Sequence, residues 1–461
     1  MNALVNDVKD VFRDRTFIGK AVKIALPVAV QGMLNTITNM VDTMMIGSMG
    51  ATAIAAVGLA NKVFFVFALL VFGVSSGSVI LAAQFWGKGD QKGIRKVLGL
   101  ALTLAVLAAV LFLLPAVLVP EFVMSIFTTS SGSISIGAKY LRVAALTYPL
   151  IAVSNVYVAM LRATNRVKFP VATSCVAIVV NIFLNYVLIF GKFGAPQMGV
   201  VGAAIATLVA RIVEMILILS YVNLGKTPLA GHVKELFSFE KAFVKQFFVT
   251  ASPVIANEFV WGLGVTIYSL AYGRMGDEAV AAITITTTIQ DIVNVLFQGL
   301  SAATAVILGN EMGGGRLKIA EKYAKNFLIL QFIVTLIGAS FCYATRWQVI
   351  GLYAITEAVA LDVSRCLTVY ALYMPFKMFN FINVVGILRS GGDTIVCFLI
   401  DTSGVWLIGI PMAFIGGLVL KYPIYVVYAM VMAEEAYKAV IGYLRYRQKK
   451  WLRNLTVNMN T

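Results

Sequence analysis

The sequence contains few charged residues for its length. Asp, Glu, Lys and Arg make up only 13% of the 461 residues, whereas hydrophobic residues make up 60%. Soluble globular domains usually contain about 25% charged residues. This shortage of charge excludes a soluble domain and predicts a polytopic membrane protein, in which long apolar helices lie in the lipid bilayer.

The side chains and motifs that many enzymes need are also missing. The sequence has one histidine, His232, so it cannot build a three-histidine metal site, and it has neither an HExxH motif nor a Walker A motif. Residues 390–393 read SGGD, whereas an intramembrane aspartyl protease needs Gly-x-Gly-Asp. We therefore predict no enzymatic activity and no cofactor, and we expect any transport to be driven by an ion gradient instead of ATP.

The net charge of +16 would suit binding to nucleic acid, but the basic residues recur in alternate loops between the apolar stretches. This alternation sets the orientation of membrane helices, with the basic loops on the cytoplasmic side. We count twelve apolar stretches, which places both termini in the cytoplasm of a multi-pass protein of the cell (plasma) membrane. The expected partner is the lipid bilayer, not nucleic acid, and we expect a monomer.

An internal repeat relates the two halves of the chain. A shift of 226 residues aligns PVAVQG with PVIANE and IGSMGATAIAAV with YGRMGDEAVAAI, and it pairs Gly47 with Gly273 and Gly73 with Gly299. Since each half has an even number of apolar stretches, both halves enter the membrane in the same direction, related by an axis along its normal. The prediction is an all-α membrane protein of twelve transmembrane helices, in two six-helix pseudo-symmetric lobes around a central cavity.

The predicted domain boundaries follow from this repeat. Residues 1–222 form the N-terminal lobe with helices 1–6, and residues 247–461 form the C-terminal lobe with helices 7–12 and a basic tail. Residues 223–246 are the one long polar connection, which we expect on the cytoplasmic surface.

A carboxylate interrupts the first apolar stretch. An ionisable group within the bilayer costs roughly 2.5 kcal/mol or more unless it faces a cavity or a partner. Spacings of three and four residues place the polar side chains on one helical face. They are Pro27, Gln31, Asn35, Thr38 and Asp42. This face either packs as a polar seam against a neighbouring helix or lines a transport path with an ion site at Asp42.

The equivalent face in the second half has lost its carboxylate. Its residues in the same order are Pro253, Asn257, Trp261, Gly264 and Tyr268. The acid of the seventh helix is Glu258, one position away from this face. If ion chemistry is concentrated in one half, Asp42 favours the first.

Amide and hydroxyl side chains of the fifth and sixth stretches complete the candidate ion site. Asn181 and Asn185 are four residues apart and share a helical face, and Thr207 could add a hydroxyl oxygen. Carboxylate and amide oxygens suit Na⁺ at Asp42, Asn181 and Asn185, and they equally suit a protonated Asp42 held by hydrogen bonds. The alternative for these residues is hydrogen bonding between helices alone.

Other polar residues in the apolar stretches need partners. Arg211 and Glu214 are three residues apart and should pair with each other. Tyr140 and Asn155 are candidates for lining a substrate path, together with Pro27, Gln31 and Asn35. We expect a cluster of Lys377 with one or more acids in the second half, which either binds a ligand or fastens the half together. The four members of that set are Glu258, Asp291, Lys377 and Asp401.

The sequence resembles the multidrug and toxic compound extrusion (MATE) family at VDTMMIGSMGATAIAAVGL, QFWGKGD, LRATN and the paired asparagines. The resemblance covers nearly the whole chain. It implies two lobes around a V-shaped alternating-access cavity and the Na⁺- or H⁺-coupled export of mostly cationic, aromatic compounds. It also places Asp42, Asn181 and Asn185 in a first-lobe cation site and makes Glu258 the acid of the seventh helix.

Two positions depart from that family's pattern. Some branches carry an aspartate where this chain has Asn185, and NorM-type members carry a tenth-helix carboxylate where it has Met378. The second departure favours Lys377 in the place of an ion beside Glu258. Two alternative functions are a flippase for a lipid-linked or amphipathic substrate, which the neutral and acidic first-helix face disfavours, and a structural membrane scaffold.

Overall fold

The computed structural model describes residues 2–353, 355–457 and 459, and the regular secondary structure of these residues is helical throughout. The helices of the first half are α1 (Asn2–Arg13), α2 (Arg15–Gly47), α3 (Ala51–Lys88), α4 (Gln91–Leu118), α5 (Pro120–Ser125), α6 (Ser131–Ala144), α7 (Thr147–Ala163), α8 (Lys168–Phe190), α9 (Gly199–Leu224) and α10 (Val233–Leu236). Those of the second half are α11 (Lys241–Gly273), α12 (Asp277–Gly313), α13 (Leu317–Ile350), α14 (Glu357–Asn380), α15 (Thr394–Ser403), α16 (Ile410–Phe414) and α17 (Ile424–Arg447). Three π-helical segments continue these helices, at Phe381–Leu388 after α14, at Gly404–Gly409 after α15 and at Ile415–Val419 after α16.

The described helices account for the predicted twelve membrane spans. Ten helices are long and apolar enough to cross a bilayer, and α6 with α7 forms an eleventh span that bends by 47°. The twelfth, α17, has 24 residues and carries Glu434, Glu435 and Lys438 within its length. These charges, unusual in a membrane helix, require partners inside the protein.

The chain forms two compact units, and two helices, α2 and α11, are each divided between them. One unit contains the described residues of Met1–Ala29 and Ala256–Asn458, and the other contains those of Val30–Ile255 and Met459–Thr461. The predicted boundaries follow the chain, whereas α2 and α11 each begin in one unit and end in the other. The two points of exchange are 226 residues apart, which is the period of the sequence repeat.

Each exchanged helix segment packs closely against a glycine of its host unit. A Cβ atom at Gly73 of α3 would lie 2.8 Å from the Cα of Ile255, and one at Gly299 of α12 would lie 2.4 Å from the carbonyl oxygen of Ala25. Small residues let helix backbones approach each other in a membrane, where van der Waals packing drives association. The paired glycines of the sequence repeat therefore mark the same helix crossing in both units.

Candidate ion site and buried polar networks

Four of the predicted site residues form one hydrogen-bonded chain across three helices. The amide nitrogen of Asn185 donates to the Asp42 carboxylate at 2.6 Å and to the Asn181 side-chain oxygen at 3.2 Å. Asn181 in turn donates to the Thr207 hydroxyl at 3.2 Å. The spacing of four residues puts both asparagines on the face of α8 that meets α2 and α9. The two amides are buried, and Asp42 is partly exposed.

One oxygen in this chain lacks a partner. The side-chain oxygen of Asn185 is buried and accepts no hydrogen bond from any residue that the structure describes. A buried acceptor without a donor is costly, and a cation or the O–H group of a protonated carboxyl would satisfy it. Within the described residues, no three His, Cys, Asp or Glu side chains are grouped so as to hold a metal ion. The four hydrogen-bonded side chains include one carboxylate, that of Asp42.

Apolar residues surround this chain of polar groups. Ile46, one turn after Asp42, belongs to a buried cluster with Ile189 and Val200, and Tyr140 packs against the same cluster. An ionised carboxylate beside such a cluster is poorly solvated, which favours its neutralisation by a bound positive charge.

The other residues predicted to line a substrate path occupy different environments. Asn35 and Asn155 are exposed, and Pro27 is partly exposed. Gln31 is 7% exposed. It accepts a hydrogen bond from Arg162 at 2.6 Å and donates one to Ser174 at 2.9 Å. Gln31 therefore belongs to the packed interior of its unit and not to an exposed surface.

The network around Gln31 continues to an ion pair between the buried Glu214 and the partly exposed Arg211. Ser174 donates to Glu214 at 3.1 Å, and Arg211 pairs with the same carboxylate at 2.7 Å. The predicted pairing of Arg211 with Glu214 is confirmed. Arg162 and Ser174 are members of this network that were not predicted from the sequence.

A charged network in the second half differs from the predicted cluster. Arg389 is 2% exposed and pairs with Glu258 at 2.9 Å and with Asp401 at 3.7 Å, and Asn257 donates to Asp401 at 3.1 Å. The expectation that Lys377 lies beside Glu258 is wrong, because Arg389 occupies that place. Arg389 was missed because it follows the apolar stretch in sequence and reads as a loop residue.

Lys377 and Asp291, the other two members of that set, lie away from Arg389. The ammonium group of Lys377 is 5.8 Å from the ring centroid of Tyr370, and it is close enough to Asp291 and Glu435 for electrostatic attraction. Asp291 itself is exposed. The four residues thus separate into two groups, with Arg389 at the centre of one of them.

The sequence repeat could have revealed these networks. Gln31 and Asn257 are related by the shift of 226, and a shift of 227 relates Arg162 to Arg389 and Ser174 to Asp401. The same three positions are therefore connected in both units, by two hydrogen bonds in the first half and by one hydrogen bond and one ion pair in the second. In the first half, Arg162 is the charged member of this set. In the second half, Asp401 takes the place of Ser174 and adds an acid.

Twelve spans built from an internal repeat, with ionisable residues inside the membrane segments, define a polytopic membrane protein of the secondary-transporter type. The MatE family model matches residues 27–187 and 253–415, which is more than half of the chain. The chain belongs to this family of multidrug and toxic compound extrusion transporters.

Individual relatives agree with this assignment. The chain is 26% identical over 444 residues to the probable multidrug resistance protein NorM of Thermotoga maritima, covering 93% of this chain and 92% of the relative. It is 24% identical to the multidrug resistance protein NorM of Vibrio cholerae, covering 86% and 87%. A crystal structure of MATE in the bent conformation has a TM-score of 0.85 at 19% identity, covering 96% of this chain and 97% of the other. The chain is therefore a membrane transporter for small molecules and not an enzyme.

Proposed function

We propose that this transporter is an antiporter that exports organic compounds, mostly cationic or aromatic, in exchange for Na⁺ or H⁺. It works as a monomer in the cell membrane, with both termini in the cytoplasm, by alternating access. The main support is the Asp42 carboxylate, which accepts a 2.6 Å hydrogen bond from Asn185, next to an amide oxygen that has no donor in the described part of the chain. This arrangement offers both a negative charge and a free oxygen to an incoming cation.

Binding of the coupling ion would neutralise Asp42 and alter the hydrogen bonds that hold α2 against α8. Pro27 lies inside α2 and removes one helical hydrogen bond, so the helix can bend there at low cost. An ion that binds one shape of α2 better than the other shifts the balance between conformations by that difference in affinity. Substrate and ion then occupy the protein in alternation.

The runner-up function is a flippase for a lipid-linked or amphipathic substrate. Recognition of a lipid phosphate requires basic side chains, for which arginine and lysine are the usual choice. The face of α2 that carries Asn35 and Asp42 offers none. The amides and the carboxylate of that helix favour a cationic substrate instead.

The proposal is tested by measuring the efflux of a fluorescent organic cation of the rhodamine type from proteoliposomes that contain the purified protein. A Na⁺ gradient and a pH gradient are imposed separately, with protein-free vesicles as the control. We expect one of the two gradients to drive efflux. If neither gradient drives efflux and the protein instead moves a fluorescent lipid pyrophosphate between leaflets, the flippase assignment replaces the antiporter.

A further inference from the structure

Helix α17 carries buried charges whose role the sites above do not explain. The carboxylate of Glu434 accepts a hydrogen bond from the Tyr268 hydroxyl at 2.6 Å and another from Lys438 at 3.3 Å. Glu434 and Lys438 are each 4% exposed, and the neighbouring Glu435 is 8% exposed. The described structure therefore holds two adjacent carboxylates and one lysine in the interior of a single membrane unit.

Beside Glu435 lies an oxygen atom that lacks a donor. The side-chain nitrogen of Asn380 donates to the Glu435 carboxylate and to the Glu435 backbone oxygen, both at 2.8 Å. The side-chain oxygen of the same asparagine is buried, and no donor among the described residues bonds to it. A protonated carboxyl at this place would supply the missing donor, because its O–H group can donate to an amide oxygen.

The charges around this pair do not balance. Arg389 and Lys438 are the buried bases, and they face four acids, which are Glu258, Asp401, Glu434 and Glu435. Lys377 of α14 is partly exposed and attracts Glu435, which still leaves more acids than bases. The other titratable groups near the pair are the phenols of Tyr268, Tyr272 and Tyr370, which add no positive charge. Because an uncompensated buried charge is expensive, the excess carboxylate calls for a proton.

The sequence repeat places this group at the position of the first-half ion site. The shift of 226 relates Tyr268 to Asp42, and the shift of 227 relates Glu434 to Thr207 and Lys438 to Arg211. The carboxylate and the hydroxyl have exchanged helices, because the first half carries its acid on α2 while the second half carries its acid on α17. Each unit therefore has one acid and one hydroxyl at this pair of repeat positions, Asp42 with Thr207 in one and Glu434 with Tyr268 in the other.

The neighbouring π-helical segment, Gly404–Gly409, has a glycine at each end where it packs against this group. A Cβ atom at Gly409 would lie 1.9 Å from the Tyr268 hydroxyl oxygen, and one at Gly404 would lie 2.4 Å from Cε of Lys438. Any larger residue would push apart the Tyr268–Glu434 bond or the lysine side chain. π-helical turns inside α-helices are frequent at functional sites.

We propose that Glu434 and Glu435 together bind one exchangeable proton, which makes this pair a second proton site of the transporter, in the unit that does not contain Asp42. The proton comes from water and forms an O–H bond on one carboxylate oxygen, and its release returns it to water. In the bound state it donates to Asn380 or is shared between the two acids. The inference extends the proposed antiport function to a second coupling group.

The test is infrared difference spectroscopy between acidic and alkaline pH on the full-length protein in lipid vesicles. A protonated buried carboxyl gives a carbonyl band that shifts in D₂O. Removal of either acid leaves one carboxylate opposite Lys438, so Glu434→Gln and Glu435→Gln should each lose the same band completely. Glu357→Gln, which removes an exposed acid at the start of α14, should leave the band of the buried carboxyl unchanged.

Other results of the infrared experiment also support or overturn the proposed proton site. Spectra of both variants identical to that of the unmodified protein would overturn the proposal. If these variants fail to fold, Tyr268→Phe retains both acids and should shift the band without removing it, whereas an unmoved spectrum again contradicts the assignment. Asp42→Asn must retain the band, and its absence there overturns the proposal as well. Loss of efflux concerns the antiport function, while the band reports proton binding even in a protein that does not transport.

Discussion

The amide of Asn185 donates a 2.6 Å hydrogen bond to the carboxylate of Asp42, although the two residues are 143 positions apart in the chain. This bond ties α8 to α2 at a point well beyond Pro27. The same amide also bonds Asn181, so the two asparagines of α8 act as one unit toward the acid. A change in the charge of Asp42 therefore alters how α2 is held.

Asp42→Asn should nearly abolish gradient-driven efflux while the protein still reaches the membrane. The substitution keeps the shape of the side chain and removes the charge that attracts the coupling ion. We expect efflux to fall roughly tenfold or more. Efflux is measured in proteoliposomes, with Asp277→Asn at the exposed start of α12 as the control. Near-normal efflux by the Asp42 variant contradicts the assigned role.

Asn185→Ala should weaken the apparent affinity for the coupling ion. It removes the donor to Asp42 and the free oxygen beside it, at a cost of about 1–3 kcal/mol for a buried polar partner. The ion concentration at half-maximal efflux should rise by roughly 5-fold to 140-fold, because each 1.4 kcal/mol is a factor of ten. Asn223→Ala, at an exposed position near the end of α9, is the matched control. If the ion concentration at half-maximal efflux does not change, Asn185 contributes to helix packing and not to ion binding.

Arg389→Met should destabilise the protein strongly. It leaves Glu258 and Asp401 without their shared base in a buried setting, and breaking a buried ion pair costs roughly 3–5 kcal/mol. Thermal unfolding in detergent measures the effect, and Arg274→Met, at an exposed arginine, should have little effect.

A compensated variant separates charge from packing at Arg389. The triple change Arg389→Met, Glu258→Gln and Asp401→Asn removes the base together with both acids. It should recover most of the lost thermal stability, because no unpaired charge remains buried. If the triple variant is as unstable as Arg389→Met alone, the arginine stabilises this unit by packing.

Alanine should have opposite effects at two glycines of α3. At Gly73 a Cβ would lie 2.8 Å from the Cα of Ile255, so Gly73→Ala forces the helices apart and should cost about 1–3 kcal/mol. At Gly58 no described atom beyond the neighbouring backbone of the same helix lies within 4 Å of a new Cβ, and Gly58→Ala should stabilise the helix by roughly 0.5–1 kcal/mol. Melting temperatures in detergent should therefore move in opposite directions. A Gly73→Ala protein as stable as the unmodified one excludes the close crossing.

The docking of α1 should depend on pH only under strongly acidic conditions. Asp14 accepts hydrogen bonds from Lys322 at 2.7 Å and from the Phe17 backbone at 3.0 Å, and the lysine bond lowers the pKa of Asp14 below its ordinary value of 3.8. A depressed pKa contributes stability that is complete above the ordinary value and lost as the pH falls through the lowered one. Protease cleavage within α1 should therefore be equally slow at pH 5 and pH 8, and faster in Asp14→Asn at both. Cleavage of the unmodified protein that already accelerates near pH 6 argues against this anchor.

Residues that share one helix or one repeat position were predictable, whereas partners from distant helices were not. The four-residue spacing of Asn181 and Asn185 places them on one face of α8, and the structure brings both to Asp42. Arg389 shows the limit. Its position after an apolar stretch indicates an exposed loop, but a π-helical turn carries it into the interior beside Glu258. The prediction that Lys377 lies beside Glu258 was wrong, because position along the chain does not decide which base reaches an acid on another helix.

Apolar length, basic loops and the 226-residue repeat depend on the order of residues alone, so they were enough to predict a twelve-span, two-lobed membrane protein. The helical period likewise sets which residues share a helical face. The division of α2 and α11 between the two units at Ala29 and Ile255, and the pairing of particular acids with particular bases, became visible only in the folded protein. Those outcomes depend on how closely helices approach, and small differences in packing at residues such as Gly73 and Gly299 control that distance.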